Sequence, residues 1–192
     1  VAICHAMCLR GSRSSKAFLA GVRVNGIIVA MNFYLIALGC KLNQAEIESM
    51  AREIERRGHV LVSDPQWADW AIVNTCTVTH MAARKSRQLI RQLRRANPSM
   101  RMALAGCYVD IDAQEARSLA DIDLVVANAD KDALVDRLLA VASAGDEPAN
   151  PGRQGAAHRL SGGHTRAFVK IQDGCDNRCT FCVVHIARGP QR

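Results

Sequence analysis

The chain has 192 residues, of which 49% are hydrophobic and 4% aromatic, and 25 Lys and Arg against 18 Asp and Glu give a net charge of +7. Ordinary apolar content excludes an unfolded chain, and 13 Gly and 5 Pro exclude a collagenous or low-complexity one. No apolar run approaches the roughly 18 residues of a membrane span, and the length fits one domain of about 100–150 residues with something added.

Residues 1–30 carry Arg10, Arg13, Lys16 and Arg23, no acid and no clean periodicity. They read as an irregular extension ahead of a natural start at Met31. A regular pattern begins there. Phe33–Leu38 is an apolar run, predicted as a strand, that ends in Gly39-Cys40. Asn43, three residues before Glu46, reads as a helix N-cap with its capping partner. Ile47, Met50, Ala51 and Ile54 follow at helical spacing, and Gly58 closes that helix. Val60–Val62 and Trp70–Val73 read as strands, the second running into Asn74-Thr75-Cys76. A helix over Thr79–Ala96 stops at Asn97-Pro98. Met100–Ala105 is a strand ending in Gly106-Cys107. A short helix over Ala113–Leu119, a strand at Leu124–Val126 and a helix over Lys131–Val141 complete the pattern.

Strands alternating with helices imply βαβ units, hence an open, mainly parallel sheet flanked by helices. The domain spans 31–142. Ser, Gly and Pro mark 143–165 as a linker, and 166–192 reads as the start of a second domain with a strand at Ala167–Ile171. Some 27 residues cannot bury a core of their own.

Of the eight cysteines, Cys4 and Cys8 have no partners nearby. Dense disulfides belong to small secreted domains without a core. This chain can build a core, and its apolar run at Gly26–Ala30 is too short for a secretory signal. The expectation is reduced thiols in the cytoplasm, used as metal ligands. Cys40, Cys76 and Cys107 each fall just past the carboxyl end of a strand, the edge where open α/β sheets bind ligands. Taken one at a time, each is more simply a core thiol.

Cys175, Cys179 and Cys182 form C-x3-C-x2-C. Three thiolates in one loop can hold three irons of a [4Fe–4S] cluster and leave the fourth open. With His185 the same residues could instead form a Cys3His zinc site. The loop resembles that of the radical S-adenosylmethionine enzymes. That resemblance implies that the open iron chelates S-adenosylmethionine, that Phe181 lies near its adenine, and that reductive cleavage yields a 5′-deoxyadenosyl radical.

Leu38-Gly39-Cys40-Lys41-Leu42-Asn43-Gln44, Asn74-Thr75-Cys76-Thr77-Val78-Thr79-His80 and Ala105-Gly106-Cys107 add a second resemblance, to the methylthiotransferases, over residues 32–192. It implies a second [4Fe–4S] cluster on Cys40, Cys76 and Cys107, and a truncated radical barrel beginning at 166. The wording is similar to the branch acting on N6-threonylcarbamoyladenosine at position 37 of tRNA. The alternatives are the isopentenyladenosine-37 tRNA branch, which usually reads Gly-Cys-Gln-Met-Asn, and the ribosomal-protein branch, which usually reads Gly-Cys-Pro-Lys-Asn. The implied chemistry is sulfur insertion at an unactivated adenine C–H followed by methylation, with electrons from a donor such as flavodoxin or ferredoxin. One departure is Val184-His185-Ile186 before Ala187-Arg188-Gly189, where the family commonly has a Pro-aromatic pair. Without the rest of the barrel, the 192 residues are expected to be inactive alone. The rival readings are a non-catalytic zinc or RNA-binding module and an iron–sulfur carrier.

Charge is uneven: +4 over 1–30, −2 over 31–83, +7 over 84–109, −7 over 110–147 and +5 over 148–192. On the helix that follows Cys76, Arg84, Arg87, Arg91, Arg94 and Arg95 form one stripe, opposite Ala82, Ser86, Leu89, Ile90 and Leu93. The stripe could meet tRNA phosphates or serve as a solvated face.

Overall fold

The computed structural model describes residues 22–24, 27–119, 122–144 and 168–192. Cys4, Cys8 and nearly all of the 143–165 linker lie outside them. Within the first thirty residues, β1 (Val22–Val24) and β2 (Ile27–Val29) pair as an antiparallel hairpin, with β1 against a helix of the main domain, α5 (Leu134–Ala144).

A five-stranded sheet organises the domain: β3 (Asn32–Ala37), β4 (Val60–Leu61), β5 (Trp70–Thr75), β6 (Arg101–Gly106) and β7 (Leu124–Val125). The spatial order is β4-β3-β5-β6-β7, and every pairing is parallel. Strand alternation splits the core in two. Trp70, Ile72, Ala103 and Ala105 face α1 (Lys41–Arg56) and α5, whereas Ala71, Val73, Met102 and Leu104 face α2 (His80–Ala96) and the short α3 (Cys107–Ile111) and α4 (Ala113–Ser118). Such apolar runs suit strands covered on both faces.

Local chemistry sets the ends of the helices. Thr79 caps α2 by accepting from the Ala82 amide at 3.1 Å. Asn97 ends it and turns its amide group onto the carbonyls of Pro65 and Ala68, each at 3.0 Å, which ties the helix to the turn over Pro65–Trp67. Gly58 (φ 83°) ends α1: its amide reaches the Glu55 carbonyl and that of His59 reaches Ile54, a Schellman motif.

Three expectations are corrected. Asn43 is not an N-cap: α1 begins at Lys41, capped by Cys40 without a side-chain bond, and both Asn43 and Glu46 turn inward. The helix expected over Lys131–Val141 is a 3₁₀ turn over Asn128–Ala133 followed by α5. No strand forms at 168–171, where Val169 and Ile171 are exposed, because among the described residues no neighbouring strand completes their hydrogen bonds. The start of a barrel is therefore not seen. The remaining helix is α6 (Val184–Ala187).

His59 lies at the start of β4, its ring edge-on to Phe33 and its Nδ1 accepting from the Met31 amide at 3.3 Å. Burial, with the nearby Arg57 charge, pushes it down to about 4 from the ordinary 6.5. A group whose folded value is depressed stabilises above its unfolded value and loses that contribution as it is forced to protonate. The unfolding temperature is therefore expected to fall as pH drops from about 6.5 towards 4, and His59→Gln to flatten that slope in a thermal melt. Ile90→Ala, on the buried face of α2, is expected to cost about 2–5 kcal/mol in urea unfolding, and Arg95→Ala, exposed, under about 0.5 kcal/mol.

Candidate functional site

Cys40 ends the loop after β3, Cys76 follows β5 directly, and Cys107 opens α3 directly after β6. With strands about 4.8 Å apart, three adjacent strand ends place these positions within about 10 Å along the carboxyl edge. The strand order reverses direction between β3 and β5, which makes this edge a crevice of the kind where open α/β sheets bind ligands. Cys40 is exposed, and Cys76 and Cys107 are buried.

Two glycines bring the loops this close. Gly39 and Gly106 both have φ 99°. A Cβ on Gly39 would sit 2.5 Å from Cβ and Sγ of Cys76, and one on Gly106 would strike the backbone of Thr75. The glycines before Cys40 and Cys107 thus do steric work as well as supplying the turn.

Buried polar groups lock the loops together. Asn43 donates to the carbonyls of Leu38 (2.7 Å) and Thr75 (3.0 Å), which flank Cys40 and Cys76, and Cys40 Sγ lies 3.8 Å from its Oδ1. Thr75 donates to the Ala105 carbonyl at 2.6 Å, bridging β5 to β6. Ser86 of α2 accepts from the Cys76 amide at 3.3 Å and lies 3.0 Å from the Cys76 carbonyl.

Beneath these loops lies a buried charge cluster. Glu46 accepts from Lys131 (2.8 Å), Asn74 (3.1 Å) and Arg188 (2.8 Å). Arg188 also donates to Asp173 (2.8 Å) and Asn43 (2.5 Å). Lys170 reaches both carboxylates, and Arg192 reaches Asp173. Burial opposes ionisation of Glu46, but the hydrogen bonds and charges of Arg188 and Lys131 outweigh it and hold the carboxyl at about 2. Asp173 is likewise held well below the carboxylate range, its cations overcoming burial. Burial pushes the Cys107 thiol up, while the nearby Arg188 and Lys131 favour its thiolate.

Residues 173–192 form a closed loop. Asp173 and Arg192 exchange two backbone bonds of 2.9 Å, and the Cys175 amide donates to the Gly189 carbonyl at 3.1 Å. Asn128 fixes the loop to the domain by donating to the Ala187 carbonyl (2.6 Å) and accepting from Arg192 (2.7 Å). Cys175 and Cys182 are half-buried, Cys179 is exposed, and Phe181 is 92% exposed. Among the described residues no three Cys, His, Asp or Glu side chains converge closely enough to hold a metal, so neither thiol triad, nor the loop triad with His185, is assembled into a coordination sphere. Both triads nevertheless offer soft thiol donors, which suit iron–sulfur chemistry, and three donors per set leave one position open.

The arginine stripe divides. Arg87 lies 3.5 Å from Glu115, and Arg94 donates to the carbonyls of Pro98 (2.9 Å) and Met100 (2.7 Å). Arg84, Arg91 and Arg95 are exposed. The opposite face buries Ala83, Ser86, Ile90 and Leu93, with Ala82 and Leu89 half-buried at its margins. Among the described residues no helix is long and apolar enough to cross a membrane. Reading the sequence missed Asn43 and Glu46 as inward-facing residues, although Glu46 directly precedes Ile47 on the buried side of α1. It also left Arg188 without a role.

A family model described as "Uncharacterized protein family UPF0004" matches residues 32–127. The chain is 35% identical over 155 residues to the threonylcarbamoyladenosine tRNA methylthiotransferase MtaB of Thermotoga maritima, covering 79% of the chain and 35% of that protein. It is 31% identical over 165 residues to the ribosomal protein uS12 methylthiotransferase RimO of Carboxydothermus hydrogenoformans (83% and 37%). It is 32% identical over 171 residues to the tRNA-2-methylthio-N(6)-dimethylallyladenosine synthase of Desulfosudis oleivorans (82% and 36%). The chain spans little more than a third of the length of these relatives. On these matches it belongs to the UPF0004 family, the N-terminal domain of the methylthiotransferases.

Proposed function

We propose that this chain is the cluster-bearing amino-terminal part of a tRNA methylthiotransferase acting on N6-threonylcarbamoyladenosine at position 37. The observation that carries this reading is the placement of Cys40, Cys76 and Cys107 on three adjacent strand ends, with the Cys175–Cys182 loop docked beside them. In this reading Cys40, Cys76 and Cys107 hold one [4Fe–4S] cluster. Cys175, Cys179 and Cys182 hold the other, whose open iron takes S-adenosylmethionine, and Phe181 offers an exposed ring for the adenine. When bound, these groups supply reductive cleavage of S-adenosylmethionine and the sulfur for insertion at the adenine C–H.

The chain's own contribution is placement and charge. Gly39 and Gly106 let the three loops close up, Asn43 and Ser86 fix their backbones, and Arg188 and Lys131 favour thiolate at Cys107. The threonylcarbamoyladenosine branch is supported by the Gly39-Cys40-Lys41-Leu42-Asn43-Gln44 wording. Exposed Arg84, Arg91 and Arg95 form the tRNA-facing surface, with Arg87 and Arg94 at its margin. The electrons come from a donor such as a flavodoxin or ferredoxin in the cytoplasm.

Anaerobic loading with ferric iron, sulfide and a thiol reductant is expected to give two [4Fe–4S] clusters, one lost in Cys40→Ala and the other in Cys179→Ala. Tightly bound zinc without iron would instead indicate a zinc module. For the substrate, nucleoside analysis of tRNA from a deletion strain is expected to show threonylcarbamoyladenosine without its methylthio group. Loss from isopentenyladenosine alone would move the chain to the other tRNA branch. Charge reversal of Arg84, Arg91 and Arg95 to Glu in the full-length enzyme is expected to weaken tRNA binding and to lower the salt slope by about 0.7–0.9 per lost phosphate contact. Unchanged affinity and slope would return the stripe to a solvated face.

A further inference from the structure

One buried side chain touches both thiol-bearing regions. Arg188 is 5% exposed and lies six residues after Cys182. Its Nη2 donates to Asn43, the residue that holds the carbonyls flanking Cys40 and Cys76. Its Nη1 donates to Glu46 and to Asp173, two residues before Cys175. A planar guanidinium with five donors can serve three acceptors in fixed directions, which a lysine ammonium on a flexible stem cannot reproduce.

We infer that Arg188 is a positioning residue: its guanidinium, shared by Asn43, Glu46 and Asp173, seats the Cys175–Cys182 loop on the carboxyl edge of the sheet and sets the separation of the two thiol triads. The contacts join residues 142–145 positions apart in sequence with those only 15 apart. Removing the guanidinium leaves Glu46 with Lys131 and Lys170, and Asp173 with Lys170 and Arg192, so neither carboxylate is stranded. The fold is therefore expected to survive while the docking, left to Asn128 and Lys170, loosens.

The test uses the 192-residue chain as wild type, Arg188→Gln, Arg188→Lys and, as a control, Arg178→Gln, an exposed arginine of the same loop. Hydrogen exchange is read first, on the metal-free chain. In Arg188→Gln the amides of Asp173, Cys175 and Arg192, which close the loop, are expected to exchange at least tenfold faster. Those of Ile72 and Leu104 in the sheet should be unchanged. Arg188→Lys keeps the charge and so tests the fork even if the glutamine variant unfolds. It too is expected to release the loop. Arg178→Gln is expected to match wild type. Wild-type exchange in Arg188→Lys, or loss of protection throughout the sheet in both Arg188 variants, overturns the assignment.

A second readout rests on the two-cluster reading proposed above. After loading with ferric iron, sulfide and a thiol reductant, then one-electron reduction, the wild-type electron paramagnetic resonance spectrum is expected to show the broadening of two interacting clusters. Arg188→Lys is expected to lose that broadening with both clusters retained. Two non-interacting clusters in wild type overturn the defined separation. Failure of wild type to load two clusters overturns the cluster reading, and the exchange experiment still decides the role of Arg188.

Discussion

Glu46 is a carboxylate placed where a carboxylate should not be, 6% exposed beneath the carboxyl edge of a hydrophobic sheet. Removing a charge from water costs several kcal/mol even after relaxation, so the position is tenable only beside cations. Arg188 and Lys131 bring charge, and Asn74 brings an amide. Those partners come from the end of β5, the turn before α5 and the distant cysteine loop. Four parts of the chain are therefore obliged to meet at one point, and the strand ends bearing Cys40, Cys76 and Cys107 are gathered around it.

The cluster is not neutral. Glu46 and Asp173 face Lys131, Lys170, Arg188 and Arg192. The surplus is positive, and part of it lies beside Cys107, where Arg188 and Lys131 favour the thiolate but burial outweighs them and leaves the thiol raised. Thiolate is the form that binds metal and acts as nucleophile. The same cations that make Glu46 tolerable thus offset part of the burial cost of a thiolate at Cys107, so stability and site chemistry share one set of residues. The +7 of the whole chain is a poor guide to this arrangement. Its largest local excess, over 84–109, sits mainly on a helix surface away from the buried cations.

Backbone geometry complements the charges. Three loops can crowd one edge only if nothing projects between them, and Gly39 and Gly106 remove the two Cβ atoms that would block the approach to β5. Asn43 and Asn74 then satisfy carbonyls and side chains that crowding has cut off from water. A polar network of this kind is rigid when complete and costly when incomplete.

Much of the design was legible in the chain itself. Continuous apolar runs ending in Gly39-Cys40, Thr75-Cys76 and Gly106-Cys107, separated by period-3.6 stretches, are local patterns, and local patterns specify strands, helices and the edge at which the cysteines emerge. Thr79, Gly58 and Asn97-Pro98 marked helix ends for the same reason. Asn43 was misread because an Asn three residues before a Glu is also the signature of a cap, and only the neighbouring strand reveals that both side chains turn inward. The 167–171 segment has strand-like residues, but a strand needs a partner as well as a composition. Arg188 lay beyond any local pattern: its meaning depends on acceptors up to 145 residues away. The sequence by itself determined the parallel α/β sheet and the placement of six thiols at strand ends and in one loop, because these follow from periodicity and spacing. Only the tertiary structure decided how the two thiol sets are held together, because a buried salt bridge depends on which distant residues share the space.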